Sequence, residues 1–355
     1  MIEKLDKEKK GMPTKDFKSP MDGQKKRFNR FRVFQILNDY TNGEHHLKQA
    51  EIKEKLSSLY GIDIERKSIR ECIDDINYLG EPYGVYVNSE KGDGTFLLSR
   101  VFEKSEVCFL IDAIFSSRSI DPKQAQDLTK KLQRFLNVND RKSFTYVAKS
   151  SEMIRTNNKL VFYNLETILD AIEKGKKIRF NYNRYYLDSA KNEEQKNRKL
   201  IASPYYLVNN QGKYYLVCNI DKYDDIANYR IEKMSNIEII DENIKPIKSL
   251  KDCANGLDVA EYANENIYMF SPQAINAKIS IKDEYTVNYV QDWFGEKTTI
   301  YQDKQDGKIY ADIRSNEQAL IYWCLQYGKL VELVEPAETR EKIKAIVEAM
   351  HEKYN

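Results

Sequence analysis

Between residues 176 and 240 the apolar side chains fall in five short runs, and the first of them alternates strictly with polar residues. Ile178, Phe180 and Tyr182 alternate with Arg179, Asn181 and Asn183, and the runs 200–208, 213–220, 226–232 and 237–240 follow. A period of two is the strand period; a helix would scatter these residues around its circumference. Turns at 209–212 and 221–225 separate some of the runs. Five short strands in succession predict a small β-barrel within residues 161–245.

Upstream, the period lengthens to the helical one. Phe31, Phe34, Ile36 and Leu37 predict a first helix ending at Asn42-Gly43. Leu47, Ile52, Leu56 and Leu59 predict a second, stopped by Gly61; Ile69, Cys72, Ile73, Ile76 and Leu79 predict a third, closed by Gly80 and Pro82. Val85, Val87 and Phe96-Leu97-Leu98 then flank a polar, glycine-containing turn at 88–94, the pattern of a hairpin. Three short helices and a hairpin are the order of a winged helix-turn-helix, placed at 25–100. Residues 1–24 read as a basic flexible arm and 101–160 as a helical linker. After a second linker at 246–269, residues 270–355 follow a βαββαβ order, which predicts a ferredoxin-like domain. The fold class is α+β and multidomain.

Catalytic or metal-binding constellations are missing from the sequence. His45, His46 and His351 make no metal spacing with cysteines or carboxylates, and Cys72, Cys108, Cys218, Cys253 and Cys324 form no Cys-x-x-Cys pair. No nucleophile elbow and no phosphate-cradling loop is present. The expectation is a binding protein, not an enzyme, without cofactor or metal. The first residues are charged and lack an apolar leader core, and the apolar clusters at 107–115 and 319–325 are too short to span a bilayer. A cytoplasmic protein without membrane contact is expected. Net charge is only +2, yet residues 1–32 hold eleven Lys or Arg against five acids, a distribution suited to phosphate.

The third helix carries the strongest sign of duplex recognition. Arg66, Lys67, Ser68 and Arg70 crowd its first turns while the apolar stripe faces the other way. In helix-turn-helix proteins those turns enter the major groove, where Arg grips guanine with two donors. Lys91 in the hairpin turn is a candidate phosphate contact. The plain alternative is a solvated helix face. The stretch Glu65-Arg66-Lys67-Ser68-Ile69-Arg70, with Ile73, Ile76 and Leu79, resembles the recognition helix of bacterial winged-helix regulators related to the DeoR group. Their usual Thr is Ser68 here, and Glu71-Cys72 stands where an Arg-Asp pair is usual, which leaves the operator sequence open.

A second resemblance covers the strand-rich region. Ser203-Pro204-Tyr205-Tyr206-Leu207-Val208, the Gly212 turn, Tyr214-Tyr215-Leu216-Val217 and Tyr229-Arg230-Ile231-Glu232-Lys233-Met234 resemble the WYL domain in order and spacing. The run from Gly175 to Tyr182 is similar to that domain's first strand. Tyr214 replaces the Trp of the name, and Lys233 the second Arg of its Arg-x-x-Arg pattern. Gly328, Leu330-Val331-Glu332 and Glu335-Pro336 resemble the C-terminal extension that follows many WYL domains. The resemblance implies a homodimeric bacterial transcription regulator with an Sm-like barrel sensing a small anionic or nucleic-acid effector, and double-stranded DNA as its other partner. Strand alternation assigns Tyr214 to the core and Tyr215 to the opposite face, so Tyr215, Arg230 and Lys233, with Tyr182 and Tyr206, form the candidate ligand set. Arg230 could instead be a structural cation paired with Glu232. A rival for the whole chain is an RNA- or single-strand-binding module whose winged helix mediates protein contacts.

Overall fold

Apolar stripes at helical spacing draw the N-terminal helices around one core. The computed structural model describes residues 22–90, 92–142, 156–183, 199–270, 274–296 and 298–355. They fall into two units: the described parts of Met1–Phe115 and Ala125–Glu152, and Ser116–Gln124 with the described parts of Met153–Asn355.

In the first unit α1 (Asp22–Tyr40), α2 (Gln49–Tyr60) and α3 (Arg66–Gly80) precede the antiparallel hairpin β1 (Tyr86–Glu90) and β2 (Gly94–Ser99). Ile36, Leu37, Ile52, Leu56, Ile69 and Val87 are among the side chains that fill their common core. Residues 22–24, expected in the arm, begin α1; residues 1–21 lie outside the described residues, as does Lys91. Gly61 ends α2 at φ 63°, and its N–H reaches the carbonyls of Leu56 and Ser57. Two devices fasten the hairpin. Asn77 of α3 donates to Val87 O (3.1 Å) and accepts from Val87 N (2.7 Å), and Leu47 and Thr95 exchange backbone hydrogen bonds at 2.9 and 2.8 Å. Helices α4 (Lys104–Ser116), α5 (Pro122–Gln133) and α6 (Val138–Lys142) follow, with Val107, Ile111, Phe115 and Leu136 as a small core.

The second unit contains α7 (Val161–Glu173) and β3 (Lys176–Tyr182), β4 (Lys199–Asn210), β5 (Lys213–Ile220), β6 (Ala227–Arg230) and β7 (Met234–Asn243). Their order in the sheet is β6-β5-β4-β3-β7, antiparallel throughout. The expected barrel is not closed. Edge strands β6 and β7 share no ladder; a 3-10 turn at Ile231–Lys233 joins them, where the sequence suggested uninterrupted strand through residue 232. Closure needs edge strands long enough for a staggered ladder, and β6 has four residues.

Both faces of this sheet are covered. On one, α7 packs over Ile178, Phe180, Ala202, Leu216 and Ile231. On the other, residues expected to be linker are structural: a 3-10 turn at Ile247–Ser249 and α8 (Val259–Glu265) help bring Leu250, Cys253, Tyr262 and Met269 onto Tyr205, Tyr215 and Val217. This double cover explains why β5 is apolar nearly without alternation from Tyr214 to Cys218.

Residues 274–355 place β8 (Ala274–Ile281), α9 (Glu284–Phe294), β9 (Thr299–Gln302), β10 (Ile309–Asn316), α10 (Glu317–Gln326), β11 (Val331–Glu335) and α11 (Ala337–Tyr354) in chain order. The sheet order is β11-β8-β10-β9, and Ile279, Ile313, Leu320, Trp323 and Leu333 lie in its core. The chain is therefore a mixed α/β protein with several separate sheets.

Candidate DNA interface and anion site

In the first unit the buried stripe of α3 (Ile69, Cys72, Ile73, Ile76) leaves Arg66, Lys67 and Arg70 exposed and Ser68 half-buried. Glu65, just ahead of the helix, makes no side-chain cap, and Arg66 and Lys67 open the first turn where acids would be favoured. Cations there oppose the helix dipole, and an anion at the same place relieves both. Arg66 and Arg70 line an open groove of about 810 Å³ together with Lys48, Asp74 and the N-terminus of α2 at Gln49 and Ala50. Ser89, Gly92 and Gly94 of the hairpin form part of its wall. Lys48 and Gln49 were not among the candidates from sequence, because one lysine before a helix is indistinguishable from any solvated lysine.

The hairpin is held close to this groove. His46 stacks on Phe96 at 4.0 Å, and its Nδ1 lies 3.2 Å from the Asp93 carboxylate. Arg100 donates to the carbonyl and side-chain oxygens of Asn38, both at 2.9 Å, and to Thr41 O, closing the C-terminal end of α1. Burial pushes its pKa below the ordinary arginine value.

In the second unit the candidate ligand residues separate. Tyr215 and Arg230 are cross-strand neighbours between β5 and β6, as a common site requires. Yet Tyr215 is only 9% exposed, packed in the second core, and burial raises its phenol pKa while the Arg230 charge opposes the rise. Tyr215 does lie on the face opposite Tyr214, but α8 and its flanking turns cover that face. Tyr206 is half-buried against the same core. Tyr182 packs on the other side of the sheet, edge-on to Tyr229 at 4.8 Å.

Arg230 has a fixed carboxylate partner. Its Nε donates to Glu232 Oε1 at 2.6 Å, and a second guanidinium nitrogen also contacts that oxygen. The Glu232 side chain is 4% exposed against 29% for Arg230, so the acid is interior and the cation looks outward. The 3-10 turn carrying Glu232 and Lys233 is pinned: Asn158 donates to Glu232 O (3.0 Å), Asn164 to Met234 O (3.0 Å), and Asn183 N to Lys233 O (2.8 Å).

Around this pair the charge is unbalanced. Burial first, then the charges of Arg230, Arg118 and Lys233, push the Lys213 ammonium below the ordinary lysine range, with Glu232 opposing. The charges of Arg230, Arg118 and Lys233 thus all act against that of Lys213 while Glu232 favours it, an imbalance that an added anion would relieve. Sequence reading named Arg230 and Lys233 but missed Lys213 and Arg118. The only local hint was a lysine directly after the Gly212 turn. Among the described residues no group of histidine, cysteine and carboxylate side chains could hold a metal ion, and no helix is long and apolar enough to cross a membrane.

Residues 163–239 match the model of the WYL domain and residues 273–351 that of the WCX domain. No curated protein matches the sequence. Among solved structures the chain is similar to proteasome accessory factor B/C (PafBC) of Arthrobacter aurescens, at 14% identity and a TM-score of 0.29 over 92% of this chain; it spans 48% of that longer chain. It is also similar to a CRISPR Cas-related protein, at 14% identity and a TM-score of 0.37, covering 94% of this chain and 82% of that one. Neither likeness is near enough to carry a function across. By its own residues, the chain carries a WYL domain followed by a WCX domain.

Proposed function

We propose that this protein is a transcription regulator that reads duplex DNA with α3 and senses an anionic ligand, a nucleotide or single-stranded nucleic acid, through its WYL domain. The observation that carries the reading is the groove where Lys48, Arg66 and Arg70 converge on the N-terminus of α2 beside the hairpin. Three cations and a helix N-terminus suit a phosphate backbone, and arginine can read guanine beyond it. In this reading the first unit is a winged helix-turn-helix of the DeoR-like kind, the hairpin its wing, and residues 274–355 a ferredoxin-like extension. The ligand sits at Lys213, Arg230 and Lys233, outside the sheet and not beneath Tyr215. The regulator acts in the bacterial cytoplasm as a homodimer, by binding without turnover.

The test is duplex binding after selection of preferred sites from a random pool. Each of Arg66→Ala and Arg70→Ala should cost about 1–3 kcal/mol on the preferred site if that arginine reads a guanine. Unchanged duplex affinity in a folded double variant sinks the assignment. Preference for single strands over duplex in direct competition would move nucleic-acid binding to the WYL domain.

A further inference from the structure

The segment Ser116–Gln124 belongs with the WYL sheet, although the chain on either side of it belongs to the first unit. It forms a strap across one end of the β4–β5 hairpin. Arg118 N donates to Gly212 O at 2.7 Å, and Thr156 N donates to Arg118 O at 3.0 Å. Ser119 is fully buried and works in both directions: its Oγ accepts from Tyr214 N (2.9 Å) and donates to Glu232 Oε2 (3.3 Å). The other oxygen of the same carboxylate holds Arg230. One buried acid is therefore shared between the strap and the outward-facing cation of the anion site.

We propose that Glu232 is a built-in competitor for the anion, and that withdrawing Arg230 from it releases the strap at Ser119. This rests on the anion-site reading above. A ligand anion and the Glu232 carboxylate are rivals for one guanidinium. When the ligand wins, Glu232 loses its ion pair with Arg230 and keeps, among the described side-chain hydrogen bonds, the one from the neutral Ser119 hydroxyl, an unfavourable state for an interior charge. Water restores its solvation only if the strap that covers it lifts. The ends of the strap continue into α4 and α5, so a change in its fastening reaches the first unit through the chain itself. Coupling here is a difference in contacts between two states of one element, which is what a ligand needs in order to shift an equilibrium.

The experiment uses the full chain, a short oligothymidylate bearing a 5′-phosphate as probe, calorimetry for its affinity, and hydrogen exchange across residues 116–124. In the wild-type protein the bound probe should speed strap exchange about tenfold. Glu232→Gln keeps the shape and the Ser119 hydrogen bond but removes the competing charge. This variant should bind the probe about fivefold more tightly, while its strap stays protected and indifferent to the probe. Ser119→Ala should exchange fast before any probe is added, with little further change. A wild-type protein that binds the probe with strap exchange unaltered overturns the latch and leaves the anion site standing. Probe affinity that neither Glu232→Gln nor Arg230→Lys alters places the anion elsewhere, and overturns both.

Discussion

Lys213 carries the electrostatic tension of the proposed anion site. Its charge is disfavoured by burial and by three cations, and Glu232 favours it. Because the folded state lowers its pKa below the ordinary 10.5, the unfolded chain holds that proton more tightly. Stability therefore rises as pH climbs through the window between the lowered value and 10.5, and the cost is fully present below that window. An anion favours the charged form, so ligand binding should weaken as pH climbs through the same window. Lys213→Met should raise the melting temperature of the ligand-free protein, abolish this lysine's share of the alkaline stability rise, and weaken anion binding about tenfold. Melting curves and calorimetry over a pH series measure all three; a variant less stable than wild type, with unaltered anion affinity, contradicts the placement. Arg230 differs in kind, because its carboxylate partner is already present at 2.6 Å.

Among the elements, the strap and the β4–β5 turn depend on one another. Gly212 has φ +72°, and a Cβ there would lie 2.8 Å from the Ser116 carbonyl oxygen. Gly212→Ala thus meets two penalties, left-handed backbone strain of about 1–2 kcal/mol and a clash with backbone that the strap can relieve only by moving. Denaturant unfolding should show a loss of at least about that strain, with faster exchange over 116–124 as its local signature. Gly43→Ala is the contrast. No atom lies within 4 Å of its added Cβ and its φ is not positive, so the change should stay within about 0.5 kcal/mol. Equal effects of the two substitutions would show that the strap does not press on the turn.

For the whole molecule, the proposed duplex reading turns on how many heads engage DNA. The groove holds three cations, Lys48, Arg66 and Arg70. Each phosphate neutralised contributes about 0.9 to the salt slope of binding. If all three sit on phosphates, a triple alanine variant should lower that slope by about 2.7 with one head engaged and by about 5.4 with the two heads of a homodimer. Light scattering should agree, with a mass about twice the 41.7 kDa of one chain. A monomer on DNA with a slope change near three would end the two-head proposal.

Local periodicity made much of this protein readable. The stripe Ile69, Cys72, Ile73, Ile76 defines both the buried side of α3 and the exposed position of Arg66 and Arg70. The run 213–220 coincides with β5. Such features depend on neighbours three or four positions apart, or two, and the chain states them directly. What the tertiary structure alone decided depends on residues far apart in sequence. The sheet stays open because the edges β6 and β7, adjacent along the chain, meet at a turn and not in a ladder. Tyr215 is interior because residues 250–269 fold back over its strand. Lys213 meets the charges of Arg118, from the strap, and Arg230, from β6, only in the folded chain. No pattern in a single stretch encodes that meeting, because the charges come from three separate segments and their repulsion exists only once the chain has brought them together.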